Sequence, residues 1–358
     1  MRRRHSTFRR WILFLGLAAA AGTLLFCSPG YVVRAGIEEA KILSRREPID
    51  DVISSPATAR ETRGKLELVR NARTFAAEQL DLDVGDSYTT FSQLDTDTLL
   101  MVVTAAPKDR LVPYTWWFPI VGRVPYKGFF DPEDAFGEAE RLGAEGYDTH
   151  VRPSGAFSTL GWFNDPMLST LLGYDDVSLA STVIHEVTHN TTFIPGQVGF
   201  NESFANFVGD VGAIEYFCGV EGDDGERCRT ARARWHDDMV FGEALARLLS
   251  ALGHVYGDSL LSYDEKVAAR DEVIRRWRAG FEREVVPRLQ LSFREFHQRP
   301  INNAMLLGMR LYYDRLSLFE RVRRELGLPL RDVAARMIEA AESSPDDPFT
   351  AIERLAPG

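Results

Sequence analysis

The sequence predicts an α+β fold, and three observations carry that prediction. Apolar residues recur at three-to-four spacing from Tyr31 to about Asp83. Short apolar or alternating runs, bounded by glycine and proline, fill about residues 87–162. After Asp175 the helical period returns and persists almost to the end. Helices on either side of a block of strands, with one helical stretch inside it, imply a sheet packed by helices rather than a closed barrel.

Each element follows from its residues. In "DVISSPATARETRGKLELVRNARTFAAEQLDL", Leu66, Val69, Ala72, Phe75 and Leu80 share one helical face with charges between them, and Pro56 and Thr58 mark the start. "TLLMVVTAAP" is a short apolar strand ended by proline, and "TWWFPIVGRVPYKGFF" reads as two strands joined near Gly122. "DPEDAFGEAERLGAEG" is helical; "YDTHVRP" and "GAFSTLGWF" are strand-like. Helical segments are expected near 176–192, 201–217, 230–253, 262–285, 301–323 and 329–342, and residues 345–358 read as a polar tail. No internal repeat is visible.

Composition bounds the function. A chain of 358 residues that is 45% hydrophobic and 26% charged can bury a sizeable core. The net charge is −10, and five arginines lie before residue 28, so the rest of the chain is more acidic still. Such a body repels phosphates, which excludes a nucleic-acid partner. The basic stretch "MRRRHSTFRR" precedes the apolar run "WILFLGLAAAAGTLLF", the pattern of an export signal that keeps the N-terminus inside and sends the body outside the cytoplasm. Three fates fit this segment: lipidation at Cys27, retention as an uncleaved anchor, or cleavage within residues 18–22. Outside it stand only Cys218 and Cys228. In an oxidising envelope two such close cysteines are expected to pair, closing a short loop worth ~3 kcal/mol in the chain-entropy account.

The chemistry concentrates in "STVIHEVTHNTTFIPGQVGFNESFANFVGD". "HEVTH" matches H-E-x-x-H, and helical spacing explains the pattern. Residues i and i+4 lie one above the other, so His185 and His189 can face one metal ion while Glu186 reaches a water beside it. Asp175, Asp176 and Ser178 offer caps for this helix. A catalytic zinc site needs a third protein ligand, and Glu202 is the expected one. Asn201 is expected to cap a second helix, with Glu202 in its first turn. Pro195, Gly196 and Gly199 let the chain reverse between the helices, and Ala205 allows close approach. Asp210 and Glu215 are the competing carboxylates. The bland alternative is a structural helix with two satisfied histidines; the five-residue pattern and the following N-E-x-x-A helix start weigh against it.

"HEVTH…NESFA" resembles the gluzincin metallopeptidases, and "NESFA" is similar to the "NEGFA" of aminopeptidase-N-like enzymes. A longer resemblance, over most of residues 28–325, is to a bacterial family of predicted zinc aminopeptidases. Its blocks are "YVVRAG", "TWWFPIVGRVPYKGFF", "AFSTLGWFNDPMLSTLL", "HEVTH", "FNESFANFVG" and "NNAMLLGMRLYY". The resemblance implies a zincin-like core, Zn2+ held by His185, His189 and Glu202, and Glu186 as general base. It also favours Tyr312 as a donor to the oxyanion, with Asn302 and Asn303 as further candidates. Asn206 stands where related enzymes carry an aspartate that orients a histidine ligand. "GAFSTLGWFNDP" would supply an edge strand that pairs with the peptide substrate. Departures are specific. Phe26 replaces the small residue usual before a lipidated cysteine. Trp117 and Arg123 stand where members carry a cysteine pair. The glycine-rich glutamate motif that binds a substrate's amino group in aminopeptidase-N-like enzymes has no counterpart. His150, His236, His254 and His297 lack a partner at ligand spacing.

The expectation is an exported zinc metallopeptidase, an aminopeptidase, on the periplasmic side of the membrane in the cell envelope, with the membrane met through the N-terminal segment. The expected organisation is residues 1–27 as signal or anchor, 28–85 helical, 86–217 as the catalytic core and 218–358 completing the cleft. The alternatives are a zinc amidase or endopeptidase acting on cell-wall peptides, and a non-catalytic envelope scaffold. The intact Glu186 weighs against the scaffold.

Overall fold

The computed structural model describes residues 36–37, 40–118, 122–154 and 165–356. The export segment with Cys27, all but the last residue of the "YVVRAG" block, the tip of the Trp116–Val124 hairpin and "GAFSTLGWFN" lie outside the described residues.

The architecture is mixed α+β, rich in helix with small sheets. Strand β1 (Arg46–Pro48) leads into α1 (Ile49–Ser54) and α2 (Arg60–Glu78), and then β2 (Thr90–Ser92). β3 (Leu100–Pro107), β4 (Trp116–Phe118), β5 (Gly122–Val124) and β6 (Lys127–Phe129) follow, then α3 (Pro132–Ala144), β7 (Tyr147–Ser154) and β8 (Met167–Leu168). The remainder is α4 (Asp176–Thr191), α5 (Val198–Glu221), α6 (Glu226–Gly257), α7 (Tyr263–Gly280), α8 (Asn303–Tyr313), α9 (Leu316–Leu326), α10 (Leu330–Ser343) and α11 (Pro348–Glu353). The sheets run β6-β3-β7, β1-β2-β8 and β4-β5.

The β6-β3-β7 sheet is antiparallel throughout, with Val102 opposite Arg152 and Thr104 opposite His150. Alternation divides its residues between two faces. Val103 and Ala105 pack on Ala135, Ala139 and Leu142 of α3. On the other face Ala106 packs on Ala304 and Leu307 of α8, and the Thr104 hydroxyl donates to the Ala304 carbonyl at 3.2 Å. The polar series Asp148, His150 and Arg152 therefore lies on the face turned toward α8. Asp148 holds it in place: it pairs with Arg270 at 2.9 Å and accepts the Asn303 amide at 3.0 Å. Asn302 caps α8 by accepting Met305 N–H, and Asn303 donates to the Pro107 carbonyl. Both asparagines join the sheet to α8 rather than facing the cleft.

The main core collects apolar residues of α1, α2, α4, α5, α9, α10 and α11. At its centre α4 and α5 lie against each other, and two glycines explain how closely. A Cβ on Gly209 would stand 2.8 Å from the Ser181 carbonyl oxygen and 3.1 Å from the His185 Cβ. One on Gly212 would stand 3.1 Å from Leu80 and 3.2 Å from Ile184. A side chain at Gly209 would push His185 away from α5.

Several expectations are corrected. "TWWFPIVGRVPYKGFF" contributes three strands, not two, and Gly122 opens β5 at φ 73° rather than forming the turn alone. Residues 301–323 are two helices, broken where Arg315 adopts a left-handed φ of 53°. The polar tail contains α11, whose Pro348, Ala351 and Ile352 are buried. α5 begins at Val198, with Gln197 in the N-cap position making no side-chain cap bond, so Asn201 is not its cap. Asn201 instead clamps the preceding turn, accepting Ile194 N–H and donating to Ile194 C=O, both at 2.9 Å. The pairing of Cys218 with Cys228 is present, joining the end of α5 to the start of α6 with 4.7 Å between Cα atoms.

Candidate functional site

Asp175 starts α4 as its sequence predicts. Its carboxylate accepts Val177 and Ser178 N–H at 3.1 Å and takes both arms of Arg234 at 2.9 Å. Burial opposes the charge, but these donors hold its pKa down to about 2. The capped helix puts His185 and His189 on its α5 face, both buried. Their Nε2 atoms stand 3.2 Å apart with ring planes at 84°.

Glu202, in the second turn of α5, completes the group. Its carboxylate oxygens lie 3.6 Å from His185 Nε2 and 4.0 Å from His189 Nε2. One ligand atom from each residue falls within 4.8 Å of the others. Donors bound at ~2.0–2.1 Å to a tetrahedral ion stand roughly 3.3 Å apart, so two imidazole nitrogens and a carboxylate oxygen in this arrangement suit a zinc-sized cation.

Burial lowers the His185 pKa, but Glu202 and Glu186 raise it on balance, so the site favours positive charge, which a cation would supply in the proton's place. Burial, then the neighbouring His185, drives the His189 pKa down to about 4, which leaves its Nε2 lone pair available near neutrality. Burial resists the charge on Glu202, but His185, His189 and Arg152 keep it ionised, below the usual carboxylate range. The His189 Nδ1 is buried without a hydrogen-bond partner among the described residues.

Glu186 occupies the next position round α4. Burial raises its pKa to about 7; His185 opposes the rise, and Glu202 and Asp165 reinforce it. A carboxyl poised there can both take and give a proton near neutral pH.

Tyr312, at the end of α8, lies beside His185, with ring centroids 6.4 Å apart. Burial raises its pKa, so the phenol stays protonated. Its oxygen accepts a hydrogen bond from Arg152 Nη2 at 3.1 Å, which leaves its own proton free to donate. Asn206 does not orient a histidine: its amide donates to the Tyr312 backbone carbonyl at 3.3 Å and so fixes the end of α8 against α5.

The competing carboxylates have other partners. Asp210 accepts from Ser181 at 2.6 Å and shares a hydrogen bond with Asp238 of α6. Glu215 accepts the Leu330 amide at the start of α10 at 3.3 Å. His236 bonds the Arg288 carbonyl at 3.0 Å, and His297 stacks on Phe281.

Sequence reasoning missed Arg152, Tyr126 and Asp165. Tyr126 feels the charges of Glu202 and Glu186, and Asp165 that of Glu186, so both border the site. The alternation Asp148-His150-Arg152 was the available signal for Arg152: three polar residues on one strand face.

No curated protein and no solved structure matches this chain. The profile of a family described as "Putative aminopeptidase" matches residues 30–347, and that description supports a peptidase. Spanning nearly the whole chain and both helices of the site, the match shows that this protein belongs to that family.

Proposed function

We propose that the protein is an exported zinc-dependent peptidase of zincin-like design, with His185, His189 and Glu202 as metal ligands and Glu186 as general base. The observation that carries this reading is the convergence of three donor atoms within 4.8 Å, with a carboxyl of pKa about 7 beside them. When bound, the ion supplies Lewis acidity, polarising a peptide carbonyl and acidifying a water. Glu186 takes the proton from that water as it attacks and passes it to the leaving nitrogen. Tyr312 donates its phenolic proton in a hydrogen bond to the oxygen that gains charge.

The family description favours cleavage next to a free amino terminus. Export is supported by the basic and apolar N-terminal sequence and by a disulfide, which persists in oxidising compartments. Among the described residues no helix is long and apolar enough to cross a membrane, so the proposed membrane link rests on the N-terminal segment.

The test is a peptide-library cleavage profile of the purified protein, before and after chelation and after zinc is restored. Cleavage that disappears with chelator and returns with zinc is expected. Cleavage indifferent to the chelator would refute metal dependence.

A further inference from the structure

Arg152 has no part in proton transfer, yet it is held beside the site. It comes from β7, on the sheet face turned toward α8. Its guanidinium carbon lies 5.6 Å from the Tyr312 ring centroid, and Nη2 donates to the Tyr312 hydroxyl at 3.1 Å. Asp148, four residues back on the strand, is committed to Arg270. The polar partner of the Arg152 side chain among the described residues is thus a neutral phenol, which uses one of five N–H donors and cancels none of the charge. Glu202 feels that charge across the site. A half-buried guanidinium whose remaining donors have no partner among the described residues, held in a planar fork, is matched in shape and charge by a carboxylate.

We propose that Arg152 is the substrate-recognition group of this site and binds a carboxylate of the peptide being cleaved. The inference rests on the peptidase reading above and narrows its substrate class. Tyr312 touches both parts of the site, its ring facing His185 and its hydroxyl bonded to Arg152. One residue of extended chain spans ~3.3–3.6 Å, so a carboxylate on Arg152 would sit one or two residues from the bond being cut. Two sources present such a group: the C-terminal carboxylate of a short peptide, and an aspartate or glutamate side chain near the scissile bond.

The experiment compares matched peptides with the zinc-loaded protein. One pair differs as C-terminal acid against C-terminal amide. A second pair, amidated at the end, differs as glutamate against glutamine at the residue after the scissile bond. Charge-assisted recognition should give the acid member of one pair a kcat/KM about 10- to 100-fold above its twin. That ratio should fall to about one in Arg152→Ala, and Arg152→Lys, which keeps charge but loses the fork, should fall between. The pair that responds identifies the source of the carboxylate. A wild-type ratio near one in both pairs would overturn the proposal. So would an Arg152→Ala loss shared equally by acid and amide, the mark of a group serving only the oxyanion. Binding of the same peptides to Glu186→Gln, followed by calorimetry, separates the two readings. If nothing is cleaved but the acid still binds more tightly through Arg152, the peptidase reading fails and recognition stands. If peptides are cleaved and bind without regard to the carboxylate, only the recognition proposal fails.

Discussion

Glu202 and Asp210 stand about two turns apart on α5, and each meets α4, yet their carboxyls are driven in opposite directions. Glu202 faces two imidazoles and feels Arg152, and it stays ionised despite burial. Burial raises the pKa of Asp210, which hydrogen-bonds Ser181 and Asp238. Asp238 rises further, first by burial and then by the charge of Asp210, so the two acids share a proton. The same residue class on the same helix becomes an anionic donor in one place and a proton-sharing structural pair in the other. What differs is the surface each meets, not its helix position. A metal centre needs uncompensated anionic donors, whereas a buried acid pair is satisfied without an ion.

Substitutions sharpen this contrast. Removing the proton carrier has the largest expected effect. Glu186→Gln should retain metal and lose turnover by roughly 10²- to 10⁴-fold, the range for a general base. Wild-type rates in that variant, measured with the best library peptide, would remove Glu186 from the mechanism.

Next come the two carboxylates themselves. Glu202→Ala should weaken zinc binding by more than the roughly 10- to 100-fold typical of losing a group behind a ligand. Asp210→Asn should change it less than about tenfold. Competition with a chromophoric chelator measures both. Equal losses would mean that the contrast between the two positions is false.

Gly209→Ala tests the close approach that both share. The new methyl meets the Ser181 carbonyl oxygen and the His185 Cβ. Overpacking of this kind costs typically about 1–3 kcal/mol and should shift His185 from Glu202, lowering both the melting temperature and metal affinity. An unchanged melting temperature would show that the helices tolerate more separation than the geometry implies.

The smallest effect concerns pH. The Asp238 pKa is raised on folding, so the unfolded chain gives up this proton first as pH rises. The stability this group provides is whole below about pH 3.8 and is lost as pH climbs through its folded value. Asp238→Asn cannot ionise. Its melting temperature should therefore gain on wild type as pH rises above about 3.8 toward the folded value. A constant difference across that range would contradict the shared proton.

Much of the site was legible because it is written in local rules. Asp175 caps α4, and the i, i+4 histidines converge as helix geometry requires. Other features depend on partners that lie far along the chain. Asn201 has the chemistry of a cap but is drawn to the Ile194 backbone, so α5 begins three residues before it. The end of the chain has tail-like composition, but Ile352 and Ala356 find the main core. Arg152 is unremarkable within "YDTHVRP" until α8, about 150 residues later, brings Tyr312 to it. Asn206 matched a histidine-orienting position by spacing, yet the Tyr312 carbonyl claims it.

The most direct test of the central account is zinc-edge X-ray absorption on the metal-loaded protein. Two imidazole nitrogens and one carboxylate oxygen at ~2.0–2.1 Å, with one further light ligand and no sulfur, are the expected shell. Glu202→Ala should lose the carboxylate contribution and Asp210→Asn should leave the spectrum unchanged. A shell containing sulfur at ~2.3 Å, or one with a single imidazole, would contradict the assignment of His185, His189 and Glu202 to one ion.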